Sequence, residues 1–184
     1  MARRHSMRRS TTGGGDVNLT NDRDTVLTRY MEGPALLERA IAGLQSADLN
    51  APPLGGGWTI KQIVHHIVDG DDLWKACIKA ALGNEGGEFT LEWYWSLPQQ
   101  VWAERWGYAH RSLDSSIALF RANRDHVVQL LEQVPDAWSR TIGVRQPNGE
   151  VETVSAGLVV EMQAEHVEHH VTRILAIRRE GGGA

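Results

Sequence analysis

Few stretches of a sequence set a helix register as tightly as Gly56-Gly57-Trp58-Thr59-Ile60-Lys61-Gln62-Ile63-Val64-His65-His66. Thr59 as N-cap with Gln62 three residues on forms a capping box, in which each side chain satisfies a backbone amide that the helix start would leave orphaned. Trp58 before the cap and Ile63 after it are placed for a hydrophobic staple. With the start fixed, a turn of about 100° per residue puts Ile60, Ile63, Val64, Ile67, Asp71, Trp74 and Ile78 on one side. The helix is predicted to run to about Leu82, with Gly83 as its stop. His66 then lies on a flank with Ile63, Gly70, Leu73 and Cys77, suited to face other helices. His65 falls with Lys61, Asp69 and Asp72, a surface suited to water.

A second histidine cluster, His166-Val167-Glu168-His169-His170, lies in the last helical stretch, predicted from near Ser155 to Arg178 and Arg179. Val159, Met162, His166, His170, Arg173 and Ile177 share one face, and histidines four apart on a helix can converge on one ion. With His66 they make a candidate three-histidine metal site. Other metal motifs do not fit. Val167 occupies the position where HExxH requires glutamate, and His166-Val167-Glu168 lacks the downstream P-C-x-x-C of zinc deaminases. No GxSxG, P-loop or complete GxGxxG is present.

The other segments read as scaffold. Val26, Leu27, Tyr30, Met31, Leu37, Ile41 and Leu44 give helical spacing over residues 22–44, with a kink or break expected at Gly33-Pro34. Residues 45–57 read as a loop. Residues 84–108, with Trp93, Trp95, Trp102, Trp106 and Pro98, read as short helical pieces crossing the bundle. Their tryptophans either pack or wall an apolar pocket. Leu113, Ile117, Phe120, Val127, Leu131 and Val134 mark another helix from His110 to Val134, with Arg124 on its apolar stripe, either snorkelling or paired with a carboxylate. Thr141-Ile142 and residues 151–154 flank Pro147-Asn148-Gly149, the signal of a small hairpin or extended loop.

Composition narrows the function classes. The chain of 184 residues, 41% hydrophobic and 23% charged, fits one soluble domain over residues 21–180. Residues 1–20 read as a disordered basic tail, with Met7 a candidate start, and residues 181–184 as a flexible C-terminus. The first ten residues carry +4, which leaves −8 on the rest, a balance that argues against nucleic-acid binding. A lone Cys77 forms no internal disulfide and reads as core packing. No apolar run approaches the roughly 18 residues of a membrane span, and no signal-peptide core is seen, so the expected setting is cytoplasmic.

The run Tyr30-Met31-Glu32-Gly33-Pro34, Gly43-Leu44, Gly56 through Asp69 and His166 through His170 resembles the DinB/YfiT-like superfamily, most closely its YfiT branch. The resemblance implies an all-α four-helix bundle, up-down-down-up, with a long crossover between the second and third helices and commonly assembled as a homodimer. It also implies a divalent metal, zinc or nickel, on His66, His166 and His170, and a small-molecule substrate. Relatives include S-transferases of bacillithiol, mycothiol or glutathione and thiol-dependent isomerases. The chain departs from the YfiT pattern after His66, carrying Asp69-Gly70-Asp71-Asp72 where similar proteins often have a Ser-His pair.

The expected activity is therefore thiol transfer at the metal. The alternatives are hydrolysis by metal-bound water and a non-enzymatic ligand-binding bundle with a vestigial site. Asp69, Glu165 and Glu168 are candidates to orient an imidazole, or simply solvated residues. His169 is a second-layer group or a neighbour.

Overall fold

The computed structural model describes residues 19–181. The expected N-terminal tail lies almost wholly outside them, as do residues 182–184, whereas Gly181, expected in the flexible terminus, ends the last helix. Four long helices build the bundle: α1 (Leu19–Ile41), α3 (Ile60–Gly83), α6 (Leu113–Gln133) and α7 (Ala156–Gly181). α1 packs on α6 and α7, and α3 packs on the same two. The connection over residues 84–112 is long enough to return α6 beside α3 in the same direction, which gives the up-down-down-up order. The stretch expected as a loop before α3 contains one further turn of helix, α2 (Ser46–Asn50), whose start is boxed by Gln45 and Asp48.

The crossover contains β1 (Glu88–Thr90) and the short helices α4 (Glu92–Trp95) and α5 (Gln99–Arg105). After α6 and a 3-10 turn at Ala137–Ser139, β2 (Thr141–Arg145) and β3 (Val151–Ser155) form the expected hairpin. Gly149, with φ +85°, takes the left-handed position of its turn. β1 adds to β2 in parallel, so the sheet order is β1-β2-β3. No helix among the described residues is long and apolar enough to cross a membrane.

Two local anomalies in the sequence explain each other. α1 continues through Pro34 as one helix instead of breaking there. A proline inside a helix has no N–H for the carbonyl four residues earlier, here that of Tyr30. Arg124, on α6, supplies the missing donor: its Nη1 reaches the Tyr30 carbonyl at 2.9 Å. Its Nε donates to Asp71 Oδ1 at 2.7 Å and its Nη2 to the Gln163 carbonyl at 3.1 Å. The guanidinium also lies over the Tyr30 ring, 3.7 Å from its centroid, and 4.8 Å from that of Phe120. Arg124 and Asp71 are each 1% exposed. Thus the arginine on the apolar stripe pairs with a carboxylate, joining α1, α3, α6 and α7 at the bundle centre. It also bridges two apolar clusters, one around Tyr30, Ile78, Val127 and Val159, the other around Leu37, Ile63, Phe120 and Val167. Cys77 is buried in the first cluster as core, and burial pushes its thiol up to about 12.

Candidate metal centre

The α3 start forms as the sequence specifies. Gln62 N donates to Thr59 Oγ1 at 3.3 Å, and Thr59 N donates to Gln62 Oε1 at 2.9 Å. Trp58 and Ile63 belong to the same apolar cluster, as the staple requires. Trp58 also meets the edge of His66, with centroids 4.7 Å apart, so the residue that anchors the helix start also holds the imidazole.

From α7, His166 and His170 converge on His66. His166 Nε2 and His66 Nε2 are 3.2 Å apart, and one ligand nitrogen from each of the three rings lies within 4.8 Å of the others. The rings meet edge to face, with centroids between 4.5 and 5.1 Å apart. Burial pushes all three imidazoles down to about 3, with further lowering by one another and by nearby arginines. They are therefore neutral at ordinary pH, which ligation demands. Nitrogens sharing one zinc at about 2.0–2.1 Å, at angles between octahedral and tetrahedral, stand about 2.8–3.4 Å apart. The His66–His166 separation lies within that interval. Nδ1 of His166 and of His170 are buried without a partner. The donor set fits a divalent metal and leaves coordination positions open beyond three ligands.

His65 corrects the sequence reading. It does not face water but is fully buried, with Nδ1 2.9 Å from Ser116 Oγ on α6 and its ring tilted against Tyr108. Burial, with the Arg111 charge beside it, pushes this ring down to about 4. The acidic candidates are occupied elsewhere. Asp69 accepts a two-pronged contact from Arg111 at 2.7 and 3.1 Å, and Glu168 one from Arg29 at 2.8 and 2.6 Å. Glu165 is exposed, and His169 is exposed with its ring 5.1 Å from that of His170.

The sequence pattern of the DinB superfamily matches residues 29–174. This chain belongs to that superfamily. A relative from Geobacillus thermodenitrificans, provisionally named a metal-dependent hydrolase, is 26% identical over 152 residues, covering 82% of this chain and 81% of its own. Among solved structures, YfiT from Bacillus subtilis, described as a probable metal-dependent hydrolase with an unusual four-helix bundle topology, superposes with a TM-score of 0.77. The match covers 98% of this chain and 95% of YfiT at 22% identity. The mycothiol-dependent maleylpyruvate isomerase superposes with a TM-score of 0.61 at 18% identity, over 82% of this chain and 59% of the isomerase.

In this DinB bundle the histidine cluster opens on a cavity of about 180 Å³. Its apolar wall comes from Leu73, Trp74, Tyr94, Trp95 and Met162, and Gly70, Gln99 and Gln163 complete it beside His66 and His166. The crossover aromatics thus divide between the two roles considered for them. Trp102 and Trp106 stack on Tyr94, and Trp102 Nε1 donates to the Tyr94 carbonyl at 2.7 Å, while Tyr94 and Trp95 face the cavity. Gln163 went unremarked in the sequence, although its position three residues before His166 puts it on the same side of α7.

Proposed function

We propose that this chain is a metal-dependent S-transferase. A divalent metal, zinc or nickel, is held by His66, His166 and His170, and bacillithiol, mycothiol or glutathione is joined to an electrophilic small molecule. A metal so bound would stabilise a thiolate at neutral pH. The chain supplies three imidazoles kept neutral by burial and an aromatic wall beside two of them.

The observation that carries the thiol reading is the absence of a carboxylate from the cavity wall among the described residues. Asp69 and Glu168 are committed to Arg111 and Arg29, so no general base stands ready to take a proton from water. The metal would bring bound water as well as a thiol into the neutral range, but hydrolysis also calls for a group that delivers a proton to the leaving group, whereas a thiolate attacks an electrophile without a carboxylate's help. The hydrolase names of the relatives favour the second reading, activation of water at the same site. A single domain over residues 21–180, homodimeric assembly and a cytoplasmic setting, where such thiols are kept reduced, complete the proposal.

The test is to incubate the metal-loaded protein with a model electrophile and each thiol in turn. Thiol-dependent conjugation supports transfer. Turnover independent of thiol points to the hydrolase, and tight ligand binding without turnover points to a binding bundle.

A further inference from the structure

Two residues of the cavity wall are expensive for the fold and have no structural duty that accounts for them. Gly70 lies inside α3, where glycine is the least favoured residue after proline. Packing does not require it: a Cβ there would meet His166 Cε1 at 3.5 Å, an ordinary contact, and nothing else nearby. Gln163 is 3% exposed, yet its Oε1 is buried without a partner. Native folds seldom leave a buried amide unpaired. Its backbone carbonyl is held by Arg124 Nη2, so the amide is rooted in the rigid centre of the bundle.

The cavity wall contains no aspartate, glutamate, lysine or arginine among the described residues. Its size is informative too, since an apolar cavity of about 150 Å³ holds benzene.

We propose that this cavity is the subsite for the electrophilic partner and selects a neutral, flat, mainly apolar molecule of about one substituted ring. Gly70 keeps its space open, and Gln163, by a turn of its side chain that brings the buried amide oxygen to the cavity, seats its one amide or hydroxyl group. The inference rests on the transferase reading for the word electrophilic; the selectivity itself rests on the wall. Gly70 and Gln163 are specificity-determining residues that touch the ligand and take no part in bond making.

Full-length, metal-loaded protein is titrated with benzamide and with benzylammonium, following the fluorescence of the wall tryptophans. Benzamide is expected to bind at least about tenfold more tightly, because an ammonium ion would enter a wall with no counter-charge. Gln163→Met lowers benzamide affinity roughly fivefold, the loss of one neutral hydrogen bond. Gly70→Ala lowers it about tenfold, by filling the space, while raising Tm by roughly 2–4 °C through helix propensity. Both variants keep the wild-type metal content. Equal affinity for the two probes, or a Gly70→Ala protein that binds benzamide as the wild type does, overturns the subsite. The two proposals fail separately. A wild-type protein that discriminates between the probes but shows no thiol transfer leaves the subsite standing without its transferase role, and one that transfers thiol without discrimination overturns the subsite alone.

Discussion

Pro34 withholds a backbone donor from the Tyr30 carbonyl, and Arg124 supplies one from another helix at 2.9 Å. The same guanidinium neutralises buried Asp71. Arg124→Met therefore leaves a carbonyl and a carboxylate unpaired at once, and is expected to cost about 3–5 kcal/mol. Pro34→Ala restores a helical donor for Tyr30. It should recover about 1 kcal/mol or more in the Arg124→Met background and less in the wild type. Urea unfolding of the four proteins closes this cycle, and additive losses would show that proline and arginine are not coupled.

The α3 start makes a simpler prediction. Thr59→Ala removes the side-chain acceptor for Gln62 N and should lower stability by about 1 kcal/mol, whereas Thr59→Ser should retain most of it. Unfolding midpoints distinguish them. Equal midpoints for alanine and serine would mean that the cap does not anchor the helix.

How much of this could be read from the sequence depended on whether the partners were local. The cap, the α3 register and the convergence of His166 and His170 follow from spacing within one helix, so they were legible. The hairpin was too, because its turn residues lie between its strands. His65 was misread because Ser116 and Tyr108 arrive from distant segments, and a helical wheel shows which way a side chain points but not what covers it. The unbroken path through Pro34 was hidden for the same reason: the compensating donor lies 94 residues away along the chain. The parallel pairing of β1 with β2 joins segments from opposite sides of α6, and three residues of strand carry too little pattern to announce it.

Acid should destabilise the metal-free protein. His66, His166 and His170 are held down to about 3 in the fold, against about 6.5 in the unfolded chain. Between those values the unfolded chain binds more protons. The stability associated with neutral imidazoles is therefore fully present above about pH 6.5 and lost as pH falls toward 3. Each fully resolved proton steepens the dependence by about 1.4 kcal/mol per pH unit. Urea midpoints of metal-free protein from pH 7.5 to 4.5 should decline below about 6.5, and less steeply in His166→Phe. A flat profile would contradict the burial of these rings as the cause of their neutrality.

The adjacent histidines of α3 should separate under substitution because they point into different surroundings. His66 has its Nε2 3.2 Å from that of His166, whereas His65 turns its Nδ1 to Ser116 across the interface with α6. Replacing His66, His166 or His170 by alanine should reduce metal in the purified protein to a small fraction of the wild-type content, since two imidazoles hold a divalent ion far less firmly than three. His65→Ala should keep full metal content but lose about 1–3 kcal/mol of stability, from the cavity it opens and the loss of its 2.9 Å contact with the Ser116 hydroxyl. Elemental analysis beside urea unfolding reads both effects in the same preparations. If His65→Ala were to lose the metal while His166→Ala kept it, the ligand set would have to be drawn from the α6 side of α3 instead of from α7.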